Sequence, residues 1–337
     1  MIRFDRILIC LLAVSWLSGC RKDLCYNHDE HAFAVKVYAV TSWEQEWERP
    51  YDYDWKKNWP YGLDRAYDDL RPGIPEGITA KVYDNGNFFT EAFYDTEGGK
   101  LPLKEGNNSI LIYNNDTEYI ILNGFGASHT ATATTRTLSR ASYQPLHEGE
   151  RTVNQPDQLY GHFIENYQGV KAFEKVQLPV EMHPLVYTYV VKFTVTKGLN
   201  YLALARGAMA GMAEKVYLND GHTDESAATV LFDCEKTDFG AVAYVKSFGV
   251  PNYPGDHYTK ADGTPASYKL NLEMKLKNGN LKSVNFDITS QMKGQPRGGV
   301  IQVTGIEISD EEGAGGGGFD VDVDGWGNIV DIPVDIN

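Results

Sequence analysis

The chain has 337 residues, a net charge of -15 and 42% hydrophobic residues. So acidic a protein is a poor electrostatic partner for nucleic acid or anionic membrane surfaces, which require the opposite sign. The length suits two domains of ordinary size, and no stretch approaches the roughly 18 consecutive apolar residues of a spanning helix.

Arg3 and Arg6 precede the uncharged, mostly apolar run from Ile7 to Leu17, which ends in Leu17-Ser18-Gly19-Cys20. Charged, hydrophobic and small residues in that order predict a secretory signal over residues 1–19. Leu17, Ser18 and Gly19 before Cys20 resemble a lipobox, in which Cys20 becomes the first mature residue. It would then bear a diacylglyceryl thioether and an amide-linked palmitate-type chain. At about 0.8 kcal/mol per buried methylene, several such chains make attachment effectively permanent. Residues 20–30 are the expected lipidated tether. Within them Arg21-Lys22-Asp23 resembles the tag that sends lipoproteins of Gram-negative anaerobes to the outer face of the outer membrane.

Cys10 departs with the signal and Cys20 carries lipid, which leaves Cys25 and Cys234. Export permits a bridge between them, but sequence spacing does not establish one. No Cys-x-x-Cys pair is present to suggest zinc or a redox site. His28 and His31 fall on opposite faces of an extended segment, so they do not share a metal.

Short alternating segments rich in β-branched and aromatic residues predict strands at 33–40, 78–83, 109–113, 118–122 and 131–137. Asp84-Asn85-Gly86-Asn87 predicts a hairpin. Between the first two strands, residues 43–70 hold Trp43, Trp47, Trp55 and Trp59 with four tyrosines among acidic residues. Two readings are open for this stretch. Trp55 and Trp59 supply platforms for sugar rings, or the loop packs its aromatics over the first sandwich, which long ordered loops generally need to do.

A Pro-containing polar stretch places a domain boundary near Asn154, giving an N-terminal β-sandwich over 31–154 and a C-terminal one over 155–310. Strands are predicted at 185–196, 214–218, 229–232, 268–276 and 300–308, with a hairpin at Asn278-Gly279. Residues 201–213, interrupted by Gly207 and Gly211, read as a short helix or irregular crossing. The fold class is all-β, since closely spaced short strands favour sandwiches over a parallel sheet with crossover helices.

Residues 311–337 begin with a glycine-rich tether and continue as alternating terminal strands, a β-hairpin tail. Phe319, Val321, Val323 and Trp326 are its candidate partner-binding residues, because a tethered strand can pair outside its own domain. The spacing from Asp320 to Asp331 also matches a calcium loop, but Asp324-Gly325 is a hairpin dipeptide and Pro333 stands where an exiting helix would run. The hairpin is the better reading, and no metal site or cofactor is assigned. Catalytic signatures such as Gly-x-Ser-x-Gly, His-Glu-x-x-His and a phosphate loop are absent, so no catalytic residue is named.

Six segments carry a resemblance in order along the chain. They are Arg21–Tyr26, Gln155-Pro156-Asp157-Gln158-Leu159-Tyr160, Gly211-Met212-Ala213, Ser247-Phe248-Gly249, Asn285-Phe286-Asp287-Ile288-Thr289 and Gly318–Trp326. Together they resemble the fimbrillin-like outer-membrane lipoproteins of Gram-negative anaerobes, in a domain-of-unknown-function branch related to FimB-type fimbrial anchors. The resemblance implies two tandem transthyretin-like β-sandwich domains and a non-enzymatic role as fimbrial anchor or accessory subunit, with fimbrial subunits as partners. In polymerising members a strand is lost by cleavage after an arginine, for which Arg49, Arg65 and Arg71 are candidates. The anchor type stays lipidated and uncut. The competing reading is a surface lipoprotein that binds carbohydrate through the 43–70 loop.

Overall fold

The computed structural model describes residues 32–49, 53–260 and 262–314. The signal, the lipobox, Cys20, Cys25, His28, His31 and the tail with Phe319, Val321, Val323 and Trp326 lie outside the described residues. Among the described residues the chain is almost entirely β, with twenty strands. The first eight are β1 (Ala34–Val35), β2 (Val37–Trp43), β3 (Ile78–Asp84), β4 (Asn87–Tyr94), β5 (Lys100–Leu101), β6 (Gly106–Asn114), β7 (Ile120–Asn123) and β8 (Thr132–Thr135). Then come β9 (Arg151–Val153), β10 (Tyr160–Gly169), β11 (Lys171–Ala172), β12 (Val176–Pro184), β13 (Tyr187–Lys197) and β14 (Leu202–Ala213). The last are β15 (Lys215–Tyr217), β16 (Ala227–Lys236), β17 (Gly240–Ser247), β18 (Lys269–Leu276), β19 (Leu281–Asp287) and β20 (Gly299–Glu307). Two short helices, α1 (Thr289–Met292) and α2 (Asp310–Ala314), flank β20.

The first seven-stranded path runs β4-β3-β6-β10-β12-β2-β5. β10 and β12 share only the pairs Tyr160↔Pro184 and Gly161↔His183, so the path turns a corner there and closes two layers over one core. Val37, Ile78, Ile110, Ile112, Val180 and Met182 fill that core. The hairpin expected at 84–87 is present. Asn85 and Gly86 have φ of 48° and 82°, the left-handed pair that a type I′ turn demands.

The second path runs β19-β18-β14-β16-β17-β13-β20, with β9 also paired to β16. Its corner lies at Glu235↔Val242 and Lys236↔Ala241, and Phe193, Met209, Phe232, Leu272, Met274 and Ile301 fill the space between its layers. A small third sheet, β15-β8-β7, covers the junction. There Tyr83 and Leu111 meet Val216, Leu218 and Phe248 in one apolar cluster.

The first path draws strands from both sides of Asn154, because β10 pairs with β6 and β12 runs parallel to β2. The 155–160 motif is the joint that makes this crossing. The Asp157 carboxylate accepts the backbone N–H groups of Glu118 at 2.7 Å and Tyr119 at 2.5 Å, and Gln155 Oε1 accepts that of Lys246 at 2.8 Å. Asn114 closes the joint by accepting the Tyr160 N–H at 2.6 Å and donating to the Gln158 carbonyl at 3.0 Å.

The expectation of a short helix or irregular crossing at 201–213 is overturned. Leu202–Ala213 is a twelve-residue central strand, hydrogen-bonded to β16 on one side and β18 on the other. Its glycines are spatial requirements, not helix breaks. A Cβ on Gly207 would lie 2.4 Å from the Phe232 ring, and Gly211, at φ 88°, sits in the register shift between Met209 and Met212. Arg206 on the outer face pairs with Glu273 at 3.0 Å, both buried. Arg140, donating to the carbonyls of Gly207 at 3.0 Å and Phe232 at 3.3 Å, straps a loop across that face. Cys234 is a thiol whose pKa burial pushes up.

Gly207→Val should therefore destabilise the second sandwich by about 1–3 kcal/mol, because the added side chain would overlap the buried Phe232 ring and come within 2.9 Å of the Asn271 carbonyl oxygen. Urea unfolding followed by near-UV circular dichroism measures the change, and a midpoint equal to that of the parent would contradict the packing described.

Candidate functional site

Every open sheet ends in unpaired backbone N–H and C=O groups, so the terminal strands are where a β protein meets partners or has to prevent it. Most ends here are blunted. β5 and β1 are two residues long. β20 is long, but side-chain amides stand in for a neighbouring strand. Gln291 bonds both the N–H and the C=O of Gln302, at 2.9 and 3.0 Å, and Gln295 does the same for Val300 at 2.6 and 3.1 Å. β19 carries Lys282, tied to Glu312 at 2.6 Å, and ends at Asp287.

β4 differs. It pairs with β3 on one side and, among the described residues, with no strand on the other. A bulge next to the turn sets Phe88 opposite Tyr83, after which Thr90–Tyr94 runs in regular register against Ile78–Val82. Among the described residues its one outward backbone bond is Phe88 N–H to the Gly126 carbonyl at 3.4 Å. Phe88, Phe89 and Phe93 are exposed, Phe93 to 66%. The strand's single charge, Glu91, is held by Lys81 across the hairpin. An edge with three exposed phenylalanines, no proline and no lysine lacks the usual protection against strand addition. These residues were not singled out from the sequence. The available signal was Phe88-Phe89-Thr90-Glu91-Ala92-Phe93-Tyr94 directly after an Asn-Gly turn, a strand with almost no charge.

The aromatic stretch 43–70 is packed: Trp43 stands edge-on to Tyr160 in the first sandwich at 5.0 Å, while from Trp47 on the stretch covers the outer layer of the second. Trp47 and Trp55 cluster with Val190, Val242 and Val300 of β13, β17 and β20. Trp55 is 9% exposed, and Trp59 is half-buried, edge-on to both Trp47 and Tyr67 at 5.9 and 5.7 Å. The Trp59 indole N–H donates to the Arg65 carbonyl at 2.9 Å. Neither indole stands as an open platform. The candidate cleavage residues are engaged here too, since Arg49 pairs with Glu44 at 2.6 Å, Arg65 with Glu235 at 3.1 Å and Arg71 with Asp68 at 3.0 Å.

Glu48 lies in this cluster, 4% exposed, accepting the Tyr67 hydroxyl at 2.8 Å on one oxygen while the other is buried with no partner among the described residues. Burial pushes its carboxyl up to about 7, aided by the charges of Glu46 and Asp54 and opposed by the Tyr67 hydrogen bond.

A concavity of about 1010 Å³ lies beside β14 and β18 and is lined by His147, Glu150, Gly211, Asp256, His257 and Tyr268 among others. His147 Nδ1 is 2.6 Å from Glu150, whose second oxygen accepts the Gly211 N–H and the Thr229 hydroxyl. Burial alone would raise the Glu150 carboxyl, but these three partners together hold it below the usual range. Among the described residues no three His, Cys, Asp or Glu side chains are placed to hold a metal ion.

Comparison with known proteins places this architecture. Residues 71–233, from just before β3 into β16, match the family described as Domain of unknown function (DUF5119). The chain is 24% identical over 297 residues to the "Putative fimbrium anchoring subunit Fim4B" of Bacteroides ovatus, covering 80% of this chain and 88% of that one. The crystal structure of "a putative adhesin" from Bacteroides ovatus shares the fold with a TM-score of 0.56 at 20% identity, over 83% of this chain and 94% of that one. The fimbrial anchor protein Mfa2 of Porphyromonas gingivalis aligns over 80% of this chain and 90% of its own, at 8% identity and a TM-score of 0.45. The resemblance to the branch related to fimbrial anchors is borne out by the similarity to the protein named as a fimbrium anchoring subunit.

The raised Glu48 carboxyl has a consequence for stability. The folded state keeps the proton up to about pH 7, whereas the unfolded chain, at its ordinary 4.5, has already released it. Burying this acid therefore costs nothing below pH 4.5 and costs most above pH 7. Glu48→Gln should match the parent near pH 4 and exceed it by up to about 3 kcal/mol near pH 8. Denaturant unfolding at the two pH values measures this, and a difference that did not change with pH would contradict it.

Proposed function

We propose that this chain is a non-enzymatic surface lipoprotein that serves fimbriae as an anchor or accessory subunit. Cys20 holds it in the outer membrane by its lipid, and the two sandwiches carry its partner-binding surfaces away from the bilayer. It meets a fimbrial subunit by strand pairing. The observation that carries the reading is the eight-residue β4 edge with exposed Phe88, Phe89 and Phe93, which among the described residues pairs with β3 alone. A strand laid along Thr90–Tyr94 would satisfy the unpaired backbone groups and cover the phenylalanines together. The similarity to a protein named as a fimbrium anchoring subunit supports the choice of partner. Phe319, Val321, Val323 and Trp326 of the tail are the second proposed contact, reaching out on the glycine tether.

The two contacts are separable. In the native host, the double variant Phe89→Lys/Phe93→Lys should fold and reach the membrane, because exposed substitutions of this kind typically change stability by only about 0.5 kcal/mol. Its retention of fimbriae should fall at least tenfold, about 1.4 kcal/mol. Deletion of residues 315–337 tests the tail in the same assay. Fimbriae recovered at parental yield from a strain carrying both changes would sink the strand-pairing reading.

A further inference from the structure

A second apolar surface lies where the described chain begins. β1 pairs antiparallel with β11 in the register Ala34↔Ala172 and Val35↔Lys171, which brings Phe33 beside Phe173 with ring centroids 5.0 Å apart. Val170 and Val176 flank the same turn, and the four side chains are between 45% and 65% exposed. This is not a loose loop. Lys36, itself 2% exposed, donates from Nζ to the Phe173 carbonyl at 3.0 Å and pins the turn from beneath. Lys171 is paired with Glu105 at 2.7 Å and Lys175 lies over the Tyr38 ring at 5.2 Å, so both lysines of the turn are engaged locally, while the exposed Glu174 carboxylate remains at its rim.

We infer that this tip is a foot that inserts Phe33, Val170, Phe173 and Val176 into the outer leaflet of the bilayer that holds the protein. The inference rests on the lipid anchor at Cys20 proposed above. What selects a bilayer as the occupant is chain length. The twelve residues from Cys20 to His31 span at most about 40 Å when fully extended, at roughly 3.4 Å per residue, and they end beside Phe33. Of all the described surfaces, the tip is the one the anchor holds nearest the membrane. Exposed phenylalanine and valine on a rigid turn partition into the boundary between headgroups and acyl chains. With a net charge of -15 the protein gains nothing from anionic lipid, so the contact is apolar and should be insensitive to salt. The foot would fix which way the sandwiches stand, where a flexible tether alone would leave the molecule free to swivel.

The test imposes the attachment, so that it does not depend on natural acylation. Residues 1–19 are replaced by a hexahistidine tag, and Cys20, Cys25 and Cys234 are changed to Ser. A single cysteine, Phe173→Cys or the distant control Leu281→Cys, then carries an environment-sensitive fluorophore. The protein is bound to phosphatidylcholine vesicles containing a nickel-chelating lipid. Label at 173 should brighten and shift to the blue on binding, be quenched by nitroxide lipids, and keep that response at high salt, while label at 281 should not change. Equal responses at 173 and 281 would overturn the foot. So would a 173 label already blue-shifted before vesicles are added, which would mean that the chain's own N-terminal segment or a second copy covers the tip. Acyl labelling of Cys20 in the native host is read separately, so absence of lipid there would refute the anchor without touching the vesicle result.

Discussion

A β-sheet protein must do something with the backbone hydrogen-bonding groups along its outermost strands, and this molecule meets that requirement along part of β20 by means internal to itself. Gln291 of α1 and Gln295 just after it stand in for a neighbouring strand along the start of β20, donating and accepting at both Val300 and Gln302. A lysine–glutamate pair marks β19, and the remaining ends are too short to template anything. The exposed phenylalanines of β4 lie along an edge that also offers main-chain bonds. Hydrogen bonding and apolar burial thus favour the same event there, which is what strand addition requires.

The two sandwiches are not independent beads. The aromatic stretch that follows β2 covers the outer layer of the second sandwich, the Arg140 strap crosses that sandwich's other layer, and the third sheet seals the junction with residues from both. Asp157 organises the crossing by taking successive backbone amides from the chain ahead of β7. Load applied at β4 would pass through packed side chains and these main-chain bonds, which the proposed anchoring role would require.

Much of this was legible in the sequence where the signal is local. Alternating β-branched segments and the Asn85-Gly86 turn identify the strands around them, because register and turn geometry are short-range properties. Leu202–Ala213 misled because alanine, leucine, methionine and arginine are good helix formers, while its strand character comes from lying between β16 and β18. The packing of Trp47 and Trp55 was foreseeable from the length of their loop, but the face they cover was not, since Val190, Val242 and Val300 are far away in sequence. The open edge was least legible of all. That β4 is terminal depends on what the other strands do, and that β20 is closed depends on two glutamines whose sequence context looks unremarkable. The tip at Phe33 and Phe173 belongs in the same class, joining residues on opposite sides of the first sandwich's sequence.

The most direct measurement is amide hydrogen exchange along β4 in the full chain, alone and in the fimbrial assembly. The account predicts that outward-facing amides between Phe89 and Tyr94 exchange rapidly in the isolated protein and become strongly protected on assembly, while β20 is protected in both. Protection of β4 in the isolated protein, or unchanged exchange along it in the assembly, would contradict the claim that this edge receives the partner strand.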